Sequence, residues 1–495
     1  MQFTSTRRNL SLESAQVITK GISEEGGLFV PQTFPRLSDE LISRMAGMDY
    51  KERAKTVLSL FLTDFTAAEI ERCVEGAYTG TFENDDPAPL VEVAPGMNLL
   101  ELWHGPTCAF KDMALQLLPY LLTTAAAKTA PGRTMVILVA TSGDTGKAAL
   151  DGFADVDKTR IIVFYPQDGV SPMQKLQMTT QTGGNVAVSA IYGNFDDAQT
   201  GVKNIFADAD MKKFLAAKNM EFSSANSINF GRLVPQIVYY VSAYCDLIKT
   251  GRIKAGETFN VTVPTGNFGN ILAAVYAKYM GVPIAKLICA SNRNNVLTDF
   301  IRTGTYDRNR PFHTTTSPSM DILISSNLER MLYHLSGNNA ELVAGLMKQL
   351  KSEGKYTIPA DMLAKLQQEF YGGFCDDQAA SATIAELFRK RHYLCDTHTA
   401  VAVNVYEQYV RETGDWKPCV IASTASPYKF AKAVLSAVEP EAAADNEFAM
   451  VDELSKVTGT KIPAPLANLK DRAVLHKSCV KQAEMAGFIR AFLSR

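Results

Sequence analysis

The strongest constraint on this chain is a change of rhythm after residue 90. From there, short β-branched runs at 135–140, 160–165, 185–190, 259–264, 285–290 and 419–422 alternate with segments of helical periodicity. Strands that recur across intervening helices run parallel, because a crossover of a dozen or more residues returns the chain to the same end of a sheet. Three of these runs end in Gly- or Ser/Thr-rich turns that feed a helix. In open α/β sheets ligands bind beyond the carboxyl ends of strands, so those turns are the expected walls of one site.

At 495 residues the chain is too long for one compact core. Residues 1–90 read as helices: Asp49 with Glu52 and Thr66 with Glu69 have capping-box spacing, and Ala54, Val57, Leu58 and Phe61 make one apolar stripe. Gly26 and Gly27 mark a turn, and the Pro-rich stretch 87–95 reads as a connector. The segment 308–319, RNRPFHTTTSPS, is polar and turn-rich; it reads either as a mobile loop or as an insertion near the site. Helical periodicity returns at 376–390 and 399–411, and 451–495 reads as a mixed tail packing back on the body.

A net charge of −2 argues against nucleic acid or a membrane surface as partner, which leaves small molecules. The eight cysteines are scattered, without CxxC pairs or zinc spacing, so reduced and mostly buried thiols are expected. The first sixteen residues contain no apolar h-region, and a cytoplasmic protein is the reading. A short presequence already removed would leave no trace.

Chemistry concentrates in LLELWHGPTCAFKDMALQ, residues 99–116. An apolar extended run breaks at Gly105-Pro106, and a helix starts near Phe110, which puts Lys111 at a helix entrance. Lysine is disfavoured there, where unpaired N–H groups already carry positive charge. That field, with Cys108, Ala109 and Phe110 beside it, favours the neutral amine needed for a Schiff base. By spacing alone, a solvated lysine followed by the capping Asp112 fits as well.

Four further stretches stand at strand ends or helix starts. In PTGNFGN, the backbone N–H groups of Gly266, Asn267, Phe268, Gly269 and Asn270 can converge on an anion, or can form an ordinary tight turn. ATSGDTGK fails the spacing of a nucleotide P-loop, since only two residues separate Gly143 from Gly146. SANSINFGRL offers neutral donors and Arg232, or simply a helix cap with a solvated arginine. STASPYKF places Thr424 at a strand end, with Ser423 or Ser426 available as a cap.

These five stretches, taken in chain order, resemble the conserved segments of the threonine synthases, fold-type II enzymes that use pyridoxal 5'-phosphate (PLP). The resemblance implies an α/β fold with two parallel-sheet domains flanked by helices and an N-terminal helical subdomain. The expected division is 1–90 for that subdomain, 91–133 with 226–495 for the large PLP-binding domain, and 134–225 for the small domain. It implies Lys111 as the cofactor lysine, and Phe110, Gly266, Asn267, Phe268, Gly269, Asn270 and Thr424 as cofactor contacts. The family most often has Asp at position 270, and either residue can cap the helix. Thr141, Ser142, Asp144 and Thr145 are implied at the bound amino acid, Asp144 orienting the loop rather than binding an anion. Asn226, Ser227, Asn229 and Arg232, joined by Lys175, are implied at a substrate phosphate. Two anion sites in one cleft imply a phosphorylated amino acid beside a phosphorylated cofactor. The implied activity is conversion of O-phospho-L-homoserine and water to L-threonine and phosphate, by a monomer or homodimer without a metal. A related phospholyase that releases an α-keto acid, or a non-catalytic PLP-binding relative, would share the early motifs.

Overall fold

The computed structural model describes residues 1–495 except Ser142, Gly169, Ala443 and Ala444. Near the N-terminus, β1 (Phe3–Ser5) and β2 (Phe29–Pro31) pair antiparallel. Next, β3 (Leu90–Ala94) and β4 (Met97–Glu101) pair antiparallel around Gly96, whose φ of 76° is costly for any residue with a Cβ. The chain then leaves to form β5 (Thr134–Ala140), β6 (Thr159–Pro166), β7 (Val186–Ile191) and β8 (Met220–Ser223). It returns through the helix Phe230–Lys249 to β9 (Phe259–Pro264) and β10 (Ile284–Ser291). A small antiparallel pair follows, β11 (Thr305–Asp307) with β12 (Lys355–Thr357). The remaining strands are β13 (Phe370–Phe374), β14 (Cys419–Ser423) and β15 (Ser478–Val480).

Two larger sheets result. One has the order β13-β10-β9-β14-β4-β3 and is parallel except at β3; the other, β15-β7-β6-β5-β8, is parallel throughout. Every residue of β9 and β14 is buried, the signature of strands covered by helices on both faces. The turns after β5, β9 and β14 therefore lie at carboxyl ends. Among the described residues no helix is long and apolar enough to cross a membrane, and no group of three or more His, Cys, Asp or Glu could hold a metal.

Several expectations need correction. The first ninety residues are not all helical: they contain β1 and β2, and Phe3 packs edge-on against Phe230, ring centroids 4.7 Å apart. Both capping boxes form as expected. Residues 87–95 are not only a connector. Leu90, Val91 and Val93 supply an edge strand, which pairs with β4 because the turn at Gly96 doubles the chain back. The tail crosses the expected division, since β15 pairs with β7 in the five-stranded sheet and the helix Met485–Leu493 packs its apolar side on that sheet's outer core.

The stretch 308–319 is tied in place by side chains. Asn292 Nδ2 donates to Thr315 Oγ1 at 2.8 Å, Asn294 Nδ2 to the His313 carbonyl at 2.8 Å, and the Thr316 N–H to Asp377 at 3.2 Å. This delivers Ser319 to the site.

Candidate active site

After β4 the chain bends back toward β14, and the Phe110 N–H donates to the Thr424 carbonyl at 2.8 Å. Lys111 then takes the N-cap position of the short helix Asp112–Leu115. Asp112 is fully buried and accepts from the Thr107 N–H at 2.8 Å and hydroxyl at 2.6 Å. Burial pushes its carboxyl up to about 7. A Cβ on Gly105 would lie 2.5 Å from Asp112 Oδ2, so this turn closes only with glycine.

The Lys111 amine points away from that turn. Its Nζ donates to Ser319 Oγ at 3.4 Å, faces Asp144 Oδ2 at 3.9 Å and sits 4.9 Å from the centroid of the Phe110 ring. Burial pulls its pKa from 10.5 down to about 8; Asp144 opposes that, while Lys429 and Arg232 add to it. A solvated lysine is thereby excluded.

In the turn after β5, Thr141 Oγ1 accepts from the N–H groups of Gly143 at 3.0 Å and Gly146 at 2.9 Å. Thr141 thus holds the loop, and its hydroxyl is spent there rather than on a ligand. Ser142 lies outside the described residues. Asp144 opens the helix Asp144–Phe153 but does not cap it; its Oδ1 pairs with Lys429 Nζ at 2.8 Å and accepts from Gln174 Nε2 at 3.2 Å. The Lys429 and Lys111 charges, with the hydrogen bonds from Lys429 and Gln174, hold the carboxyl well below its usual range against the effect of burial. Thr145 is half-buried on the first turn.

After β9, Phe268 adopts φ 63° and starts the helix Gly269–Tyr279. The N–H groups of Gly266, Asn267 and Phe268 make no backbone hydrogen bond among the described residues. They form a cradle at a helix N-terminus, and a Cβ on Gly266 would come 2.5 Å from the Ser319 carbonyl oxygen. Asn270 does not cap this helix. Its Oδ1 accepts from the hydroxyls of Tyr239 and Tyr240, and its buried Nδ2 has no partner among the described residues.

The third expected set divides. Arg232 is 4% exposed; one amine donates to the Ala225 carbonyl at 3.0 Å, and among the described residues it has no acidic partner and its Nε no hydrogen-bond partner. Burial lowers its pKa to about 10, the behaviour of a cation lacking a counter-ion. Asn229, by contrast, is consumed structurally. Its Nδ2 donates to the carbonyls of Ile18 and Ser224, each at 3.0 Å, and its Oδ1 caps the helix at the Gly231 N–H. Asn226 is exposed and Ser227 half-buried, the latter 3.5 Å from Asn327 Nδ2. Asn327 also donates to the Asn267 carbonyl at 3.0 Å, tying this segment to the Gly266 cradle. Lys175 is half-buried on the helix Pro172–Thr179, with no ion pair among the described residues.

Ser319, Lys429 and Gln174 were not singled out by sequence, and His398, next to a matched segment, reads there as structural. His398 Nε2 accepts from the Ser319 N–H at 3.1 Å while Nδ1 meets the buried Asp396 at 2.7 Å, so the imidazole orients the Ser319 turn. Lys429 had a local signal in its place in STASPYKF, and Ser319 in closing the turn-rich stretch 308–319.

A phosphorylated aldehyde cofactor fits these groups: a buried amine whose pKa is lowered toward neutrality, a cradle of free N–H donors, and a second, separate buried cation. The fold and site define a pyridoxal-phosphate-dependent enzyme. A family model described as pyridoxal-phosphate dependent enzyme matches residues 99–424, flanked by threonine synthase N-terminal and C-terminal models at 2–78 and 399–474. The chain is 38% identical to a threonine synthase of Pseudomonas aeruginosa, covering 100% of this chain and 98% of that one. It is 43% identical to human threonine synthase-like 1 over 86% of its length, and spans 58% of that relative. The PLP-bound threonine synthase of Brucella melitensis superposes with a TM-score of 0.89 at 37% identity, covering 99% of both chains. The chain belongs to the threonine synthase family.

Proposed function

We propose that the protein converts O-phospho-L-homoserine and water to L-threonine and phosphate, with Lys111 as its cofactor lysine. The observation that carries this reading is the pairing of one buried amine with two separate anion-binding corners, at Gly266–Phe268 and at Arg232. The N–H groups of Gly266, Asn267 and Phe268 would hold the cofactor phosphate, and the Thr424 hydroxyl would meet its ring nitrogen. When bound, PLP supplies an aldehyde for Lys111 and a ring that stores the charge released at the substrate's α-carbon.

The other steps belong to this chain. Lys111 Nζ takes and returns protons at the substrate's α- and β-carbons, a task suited to an amine whose pKa lies near 8. The Arg232 guanidinium holds the phosphate that leaves, helped by Ser227, Asn226 and Lys175. The first turn of Asp144–Phe153, with Thr145, receives the substrate carboxylate. Thr141 and Asn229 keep these loops in shape.

Incubation with O-phospho-L-homoserine tests the proposal. Threonine formed in proportion to phosphate supports it, whereas an α-keto acid with ammonia moves the protein to a phospholyase. No phosphate release by the PLP-loaded protein overturns both.

A further inference from the structure

Lys429 is the most sharply placed buried group that the proposed reaction leaves unused. Its side chain is 1% exposed; Nζ lies 2.8 Å from Asp144 Oδ1 and donates to the Thr107 carbonyl at 2.9 Å. Asp144 follows β5 of the five-stranded sheet, whereas Lys429 follows β14 of the six-stranded sheet, so the pair crosses between the sheets. The second oxygen of Asp144 faces Lys111 at 3.9 Å. One carboxylate is shared by two lysines, and Lys429 is the nearer.

We propose that Lys429 is a positioning residue that occupies Asp144 and thereby keeps Lys111 available as a free amine. The inference rests on the reading of Lys111 as the cofactor lysine. Without a second cation, a buried carboxylate would pair with Lys111 and hold it as an ammonium, which has no lone pair for an aldehyde. Gln174 Nε2, donating to the same Oδ1 at 3.2 Å, fixes which oxygen Lys429 meets. The remaining charged groups acting on Lys111 are Arg232, which acts in the same sense as Lys429, and Asp112, whose two oxygens are taken by Thr107. Ser319, whose hydroxyl the amine meets, is neutral.

The test is the pH midpoint at which acetic anhydride acetylates Lys111 in the full-length chain freed of PLP, read by peptide mass spectrometry. Lys429→Met should raise the midpoint from about 8 by about one unit, so that free amine at pH 7, and with it the rate of PLP uptake, falls on the order of tenfold. Lys429→Arg should hold the midpoint, and Asp144→Asn should lower it. The double variant Lys429→Met/Asp144→Asn removes both members of the ion pair, so neither is left without the other, and should return the midpoint to the wild-type value or below, even if Lys429→Met alone does not fold. An unmoved midpoint in Lys429→Met, or a double variant that takes up PLP as slowly as that single variant, overturns the proposal in favour of a clasp between sheets. Normal turnover of O-phosphohomoserine by Lys111→Ala would instead overturn the reading of Lys111, whatever the midpoints show.

Discussion

At the scale of single residues, the site keeps two cations where burial works against them. Lys111 has a pKa of about 8 against an ordinary 10.5, so below pH 8 its charge costs the cofactor-free fold about 3 kcal/mol. The sign follows from proton counting: between about 8 and 10.5 the unfolded chain holds this proton and the folded one does not, so stability rises with pH across that window. Lys111→Met should therefore abolish turnover, raise the melting temperature of the cofactor-free protein at pH 7, and lose that advantage as pH climbs toward 10.5. A melting temperature below wild type at pH 7 would contradict this. Arg232→Ala should raise the KM for O-phosphohomoserine roughly ten- to hundredfold, the worth of one charge-assisted contact of about 1.5–3 kcal/mol. PLP affinity should be spared, and its loss instead would mean that the two anion corners are exchanged.

At the scale of elements, the site depends on turns that approach one another closely. Gly266→Ala would drive a Cβ to 2.5 Å from the Ser319 carbonyl, and the backbone there is held by the His398 hydrogen bond. We expect the Ser319 turn to shift and PLP affinity to fall while the fold persists; unchanged affinity by cofactor titration would show that the cradle does not bind the phosphate. The turns that carry chemistry were legible because a strand, a glycine and a helix start leave a local pattern, as in VPTGNFGN. The roles of Thr141 and Asn229 were not legible. Each presents the right oxygen or amide for a ligand, but nearby backbone N–H and C=O groups take it first. Ser319 reaches Lys111 from far along the chain, with His398 holding Ser319 and Lys429 holding Asp144, and no local period announces such meetings.

At the scale of the molecule, the main strands of both sheets were readable from β-branched runs, and all six expected strands match within one residue at each end. Those that escaped are mostly three-residue strands, β1, β2, β11, β12 and β15, too short for periodicity to register. β15 matters most, because with the helix that follows it the tail covers the outer face of the smaller sheet. Met485, Ile489 and Leu493 are buried there, each worth about 1.5–3 kcal/mol, a sum comparable to the net stability of a domain. Deleting residues 478–495 should bare an edge of β7 and give a chain that aggregates and melts well below the full-length protein. A truncated chain melting within a few degrees of it would show the tail to be dispensable. The central claim joins both sheets at one amine, and its most direct test is to reduce the PLP-loaded protein with borohydride and locate the modified lysine by peptide mass spectrometry. The account predicts a pyridoxyl group on Lys111; a label on Lys147, Lys175 or Lys429 would contradict it.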